Sequence, residues 1–336
     1  MAYKLDKNSL NQTVKAISEK YHVYAPCLLK GWGVCSDTDI ISYKRVFDAE
    51  ELVFDQKSMY SFKEAILPIS ETLFYFTDDD SKEPKPAYEQ AVVFLRNCDL
   101  HALSRLDAVY RSGGNSDFYY ERLRQNVKFI VMGCETGFEG CFCASMGTSE
   151  LADYDAYIAV DGEGFVVDSR CDKLTELLQG MGVPEATFAP KAITNELKVE
   201  VPENIPQAII THPVWDEYTI RCIKCGRCNF VCPTCTCFST QDIFYGDNEN
   251  AGERRRVWAS CQVEGYTDMA GGMSFRKTGG EQMRFKVLHK ISDHKKRHGE
   301  NMCVGCGRCD AVCPEYISYT ACIEKVKKAC EEVSNG

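Results

Sequence analysis

The chain has 336 residues, 44% of them hydrophobic, with 20 cysteines and a formal net charge of −10. That length suits two domains with sizeable cores, and the acidic balance argues against nucleic acid as a partner, because phosphate binding needs a net basic face. The 17 tyrosines and 17 phenylalanines speak against disorder.

Cysteine is the outlier. Residues 1–20 are polar and carry no apolar signal-peptide core, so the expected setting is the cytoplasm. A disulfide framework does not suit a reducing compartment, and many cysteines there point to metal or cluster ligation. The apolar runs 91–95 and 129–132 are far too short to cross a bilayer, so no direct membrane insertion is expected.

Residues 1–210 read as an α+β domain. The runs 91–95 and 129–132 have the character of buried strands, and each leads into a cysteine, Cys98 and Cys134. Cys141 and Cys143 follow in Gly140-Cys141-Phe142-Cys143. Four thiolates suffice for a [4Fe–4S] cluster, but this spacing follows no general rule. Four buried free thiols explain it equally well, since cysteine packs as a small hydrophobe. Residues 157–160 and 165–167 flank Asp161-Gly162-Glu163-Gly164 and predict a hairpin. A short helix is expected over 171–181, stopped by Gly182, and Pro202, Pro206 and Pro213 mark a linker. Cys27, Cys35, Cys171, Cys322 and Cys330 have the look of ordinary thiols.

Residues 211–336 read as a mainly α-helical domain dense in cysteine. Within it Cys222-Ile223-Lys224-Cys225-Gly226-Arg227-Cys228-Asn229-Phe230-Val231-Cys232-Pro233 recurs as Cys303-Val304-Gly305-Cys306-Gly307-Arg308-Cys309-Asp310-Ala311-Val312-Cys313-Pro314. Each copy is C-x2-C-x2-C-x3-C-P, the spacing of bacterial two-cluster ferredoxins. Three thiolates at that spacing wrap one side of a cubane, and Gly226 and Gly307 let the backbone come close. In that arrangement the fourth cysteine serves the other cluster. Cys222, Cys225, Cys228 and Cys313 are therefore assigned to one [4Fe–4S] cluster, and Cys303, Cys306, Cys309 and Cys232 to a second. Zinc fits badly, because its sites use paired C-x2-C or Cys/His sets. The long helical stretch between the motifs, notably 281–296, suggests the all-helical ferredoxin variant found in succinate dehydrogenase iron–sulfur subunits. Cys235, Cys237 and Cys261 are expected to pack rather than ligate. Arg254-Arg255-Arg256 reads first as a solvated face, with charge balance for a cluster or partner docking as the alternative. His101 and His289 read as structural.

No G-x-G-x-x-G follows a strand, so no built-in NAD or FAD site is expected. No nucleophile–base constellation is visible either. Clusters carry electrons, and the substrate chemistry then belongs to another subunit.

Several segments together carry a family resemblance. They are Tyr60-Ser61-Phe62-Lys63-Glu64-Ala65-Ile66-Leu67-Pro68, Arg96-Asn97-Cys98-Asp99-Leu100-His101-Ala102-Leu103, residues 140–147, the twin motifs, and the stretch from Trp258 through Cys261 to Arg276. With these the chain resembles the iron–sulfur subunit of anaerobic sulfite reductase and is similar to the β subunits of sulfhydrogenase-type nickel–iron hydrogenases. Its length and the Cys27/Cys35 region favour the first. The resemblance implies a non-catalytic electron-transfer subunit. It would relay electrons between a flavin subunit that oxidises NADH and a sirohaem subunit that reduces sulfite to sulfide. It also implies a third [4Fe–4S] cluster on Cys98, Cys134, Cys141 and Cys143. From a different class, an iron–sulfur redox sensor would need an effector module, and none is visible.

Overall fold

The computed structural model describes residues 1–33, 37–150, 152–190, 193–246 and 250–335. Cys35 lies outside the described residues. In chain order the strands of the two larger sheets are β1 (Ala2–Leu5), β2 (His22–Leu29), β3 (Ile40–Arg45), β4 (Ser70–Phe76), β5 (Ser81–Lys82), β6 (Ala91–Leu95), β7 (Val127–Met132), β8 (Ala156–Asp161), β9 (Gly164–Ser169), β10 (Glu185–Ala186), β11 (Phe238–Phe244) and β12 (Gly252–Trp258). An eight-stranded mixed sheet runs β10-β1-β9-β8-β7-β6-β2-β3. Its centre, β2-β6-β7-β8, is parallel, and its flanks are antiparallel.

The centre of the sheet follows from its composition. All five residues of Ala-Val-Val-Phe-Leu in β6 are buried, as a parallel strand covered on both faces requires. Period-two alternation then sends side chains to opposite faces. Val93, Leu95, Phe129 and Val131 meet Leu100, Leu103 and Leu106 of helix α1 (Asn97–Tyr110) on one face. On the other face, Val92, Phe94, Ile130 and Met132 meet Leu10 and Val14 together with Leu174 and Leu178. The expected hairpin forms as β8 and β9, and the expected short helix spans Asp172–Gly180. The proline-marked linker packs inward: Ile209 and Trp215 are buried, and the Trp215 indole N–H donates to the Ile209 carbonyl at 2.6 Å.

The C-terminal region departs from a mainly helical domain. Helices Gly279–Leu288 and Tyr319–Asn335 supply a helical core with Trp215 and Tyr218. Between the two motifs, however, β11 and β12 form an antiparallel hairpin. This hairpin joins β4 and β5 in a four-stranded sheet, so strands from both halves of the chain share one sheet. The alternating side chains of β4 include Phe74 and Phe76, and Phe76 meets Phe244 of β11 edge-on at 5.8 Å. The helical stretch after Gly279 contains a π-helical turn, His289–Asp293. No described helix is long and apolar enough to cross a membrane.

Candidate metal centres

The two motifs fold alike. In each, the glycine of the Cys-Gly-Arg-Cys step takes a left-handed conformation and opens a four-residue helix, Arg227–Phe230 or Arg308–Ala311. The position before the second cysteine is also left-handed in both: Lys224 at φ 58° and Gly305 at φ 65°. The residue types differ for a steric reason. A Cβ on Gly305 would lie 2.6 Å from the Phe142 backbone, whereas the Lys224 side chain reaches Glu264 and the Lys277 carbonyl.

The cysteines gather in the crossed arrangement. Cys222, Cys225, Cys228 and Cys313 line one concavity, with Cys309, Lys286 and Tyr319 beside them. Cys232 of the first motif lies within electrostatic reach of Cys303 and Cys306 of the second, and Cys309 of the same two. Burial drives the Cys303 thiol up to about 12, so a thiolate there needs positive charge brought to it. Among the described residues, no three His, Cys, Asp or Glu side chains lie close enough to hold a single metal ion. A cubane makes a different demand, because each thiolate binds a separate iron.

The third set also assembles. β6 and β7 run parallel with Leu95 beside Val131, so both deliver their following loops to the carboxyl end of the sheet, the usual place for ligands in α/β sheets. Cys98 sits in the first turn of α1, and Cys134 follows Gly133. Cys134 is close to Cys141, Cys143 is close to both, and Cys98 is close to Cys143. A Cβ on Gly133 would meet the Tyr157 hydroxyl at 2.3 Å, and one on Gly137 would meet Asn195 at the same distance. Bare glycine is what lets this loop close. Arg96 contacts Cys134 and ties the loop down through the carbonyls of Gly133 at 3.0 Å and Phe54 at 2.6 Å.

The second motif docks on this loop through backbone. Phe142 N–H donates to the Gly305 carbonyl at 2.8 Å, and the Thr148 hydroxyl donates to the Val304 carbonyl at 2.7 Å. A Cβ on Gly307 would fall 2.1 Å from the Gly140 carbonyl oxygen. The motif glycine thus serves a close approach of two loops that its spacing did not announce. Cys98 also lies within electrostatic reach of Cys306. Between them runs a buried bidentate pair, Arg308 to Asp99 at 2.6 and 2.8 Å, with 2% and 0% exposure.

Charge around the thiols comes from residues the motifs do not mark. Lys63, Lys286 and Lys290 are all buried. Lys63 donates to the Cys235 carbonyl at 2.9 Å and Lys290 to the Thr234 hydroxyl at 2.8 Å. Lys286 contacts the Cys228 sulfur and lies near Cys309 and Cys235. Among the described residues none of the three has a carboxylate partner. Burial opposes the ammonium of Lys286, but the surrounding sulfurs outweigh it and hold its pKa well above the usual lysine value. Such cations fit anionic clusters, since an unpaired buried charge is otherwise very costly. By contrast, Arg254, Arg255 and Arg256 are spent on Asp242, Glu253, and Glu71 with Asp117. His101 bonds the Glu150 carbonyl and His289 stacks on Phe285. Cys27, Cys322 and Cys330 are buried in the cores.

Residues 221–317 match a family model described as a 4Fe-4S dicluster domain. Over 250 residues the chain is 33% identical to the sulfhydrogenase 2 subunit beta of Pyrococcus furiosus, a match that covers 70% of this chain and 73% of the relative. The chain belongs to the sulfhydrogenase beta-subunit family. No solved structure matches it. As a member of the sulfhydrogenase beta-subunit family with a dicluster domain, the chain is an iron–sulfur electron-transfer subunit that holds [4Fe–4S] clusters. Of the two families it resembles, the relative found belongs to the sulfhydrogenase side, and it gives the sulfite reductase side no support.

Proposed function

We propose that the chain is a three-cluster relay inside a multisubunit, NADH-linked reductase. The observation that carries this reading is the adjacency of the three thiol groups. Cys309 of the second set borders the first concavity, and Cys306 of the second set lies near Cys98 of the third. Bound [4Fe–4S] clusters supply one-electron transfer. The protein's own residues do the rest. Cys222, Cys225, Cys228 and Cys313 hold the first cluster; Cys303, Cys306, Cys309 and Cys232 the second; Cys98, Cys134, Cys141 and Cys143 the third. Lys286 and Lys290 offset their negative charge, and the Arg308–Asp99 pair fixes the second site against the third. Residues 1–210 and 211–336 act as the two functional units.

The partners are a flavin subunit that oxidises NADH and a catalytic subunit. Similarity to a sulfhydrogenase beta subunit supports a hydrogenase-type catalytic partner. Isolating the native complex anaerobically tests this. Co-purifying flavin and nickel–iron subunits support it, and a sirohaem subunit in place of nickel–iron turns the assignment to sulfite reduction. A homogeneous, iron-loaded chain that oxidises NADH without a flavin partner would overturn the relay.

A further inference from the structure

Of the proposed cluster ligands, Cys225 alone is exposed; Cys141, Cys143 and Cys306 are buried and the others half-buried. Large apolar side chains surround it on the protein surface. Ile223 shares the first concavity with Cys225 and is itself exposed. Ile220 is 88% exposed, and the next residue, Arg221, donates to the carbonyls of Glu315 at 3.2 Å and Tyr316 at 3.4 Å. Tyr316, also 88% exposed, therefore stands at the same edge. Its backbone is left-handed, φ 51°, an outlier for a bulky residue. Its ring makes no contact inside the chain that would offset this strain, and strain of this kind concentrates at binding surfaces.

On the other side of Cys225, Lys224 pins both ends of a loop. Its ammonium meets Glu264 at 3.4 Å and the Lys277 carbonyl at 3.3 Å. The loop also packs on the motif: a Cβ on Gly226 would fall 2.7 Å from the Val263 side chain. It carries a short hairpin, β13 (Asp268–Met269) with β14 (Met273–Ser274), that turns through left-handed Gly271 and Gly272. Met269 and Met273 are cross-strand partners and so lie side by side on one face. Both are exposed, as is Phe275.

The charge of this face decides what covers it. The chain as a whole carries −10. Here the exposed cations Arg227 and Lys277 are matched in number by exposed Glu315 and Asp268, while Lys224 and Arg221 pair with Glu264 and Glu217. Isoleucine, methionine and aromatic side chains inside a charge-balanced rim are the anatomy of a permanent subunit interface. The face lacks the one-sign field that steers a diffusing charged carrier.

We propose that this face, centred on Cys225, docks a permanently bound protein subunit that has an apolar contact surface and holds a flavin or iron–sulfur group within electron-transfer reach of the first cluster. One electron crosses per step. The partner's group is oxidised by one as the cluster of Cys222, Cys225, Cys228 and Cys313 is reduced by one, or the reverse, and no bond is made. The proposal rests on the relay reading for that cluster.

The test compares the iron-loaded full-length chain, alone and in its anaerobically isolated native complex, by hydrogen–deuterium exchange. Segments 263–277 and 314–317 should exchange at least about tenfold more slowly in the complex. Met273→Glu with Phe275→Glu, and separately Tyr316→Gly, which suits the left-handed backbone, should each release one subunit while the chain keeps its iron and its cluster spectra. That subunit should contain flavin or iron, and high salt alone should not release it. Equal exchange in both states would overturn the proposal. So would variants that keep every subunit, release by salt alone, or a released subunit with neither flavin nor iron. A second copy of the chain on this face, or binding of the isolated chain to phosphatidylcholine vesicles that the same variants abolish, assigns the face to another occupant and equally overturns it. Iron content separates this proposal from the relay reading: a chain without iron defeats the relay, and the exchange comparison still decides the docking face.

Discussion

Lys63, Lys286 and Lys290 bring ammonium groups into the interior, where the described carboxylates do not meet them. The sequence hides this, because a lysine's direction is set by packing that no local pattern records. The obvious basic run, Arg254 to Arg256, is instead neutralised by carboxylates on its own sheet and on neighbouring elements. Lys286 contacts Cys228 and lies near Cys309, so its charge acts on both twin clusters. Lys286→Met should lower both midpoint potentials by the equivalent of roughly 2–4 kcal/mol per electron, the scale of one charge acting across about 4–8 Å at an effective dielectric near 20. Potentiometric titration followed by electron paramagnetic resonance measures this; unchanged midpoints with full iron content would remove Lys286 from the relay. Asp99 acts differently. Removing it strands the buried Arg308 guanidinium, so Asp99→Ala should cost about 3–5 kcal/mol in chemical denaturation. A loss below about 1 kcal/mol would mean that water reaches the site and the pair is not the fixed link described.

The elements that carry cysteines are the most legible. Short, wholly apolar runs mark β6 and β7, and their parallel pairing explains why Cys98 and Cys134 emerge at one end of the sheet. The β11–β12 hairpin escapes sequence reading because its residues are polar and charged, and its pairing with β4 spans more than half the chain. The twin motifs are legible as ligand runs, but the reason for their glycines lies in the facing loop. Gly307→Ala should displace Gly140, whose carbonyl oxygen lies 2.1 Å from the added Cβ. It also forces a left-handed alanine, at a further cost of about 1–2 kcal/mol. The expected outcome is altered spectra of both the second and the third cluster, and a change confined to the second would refute the docking role. Crossed ligation is tested at Cys313, which lines the concavity of Cys222, Cys225 and Cys228. Cys313→Ser should perturb the cluster of the first motif; a perturbation confined to that of Cys303, Cys306 and Cys309 would mean consecutive ligation.

At the scale of the whole molecule, an α/β layer places one thiol group at the carboxyl end of its sheet, and a dicluster region docks against that end. The mixed character of the second region follows from the four-stranded sheet that binds the two halves of the chain. The measurement that tests the three-cluster relay most directly is the iron content of the anaerobically reconstituted full-length chain beside its Cys134→Ala variant. Three clusters predict about twelve irons in the first and about eight in the second, with the twin-cluster signals retained. About eight irons in both would contradict the relay and leave Cys98, Cys134, Cys141 and Cys143 as buried thiols.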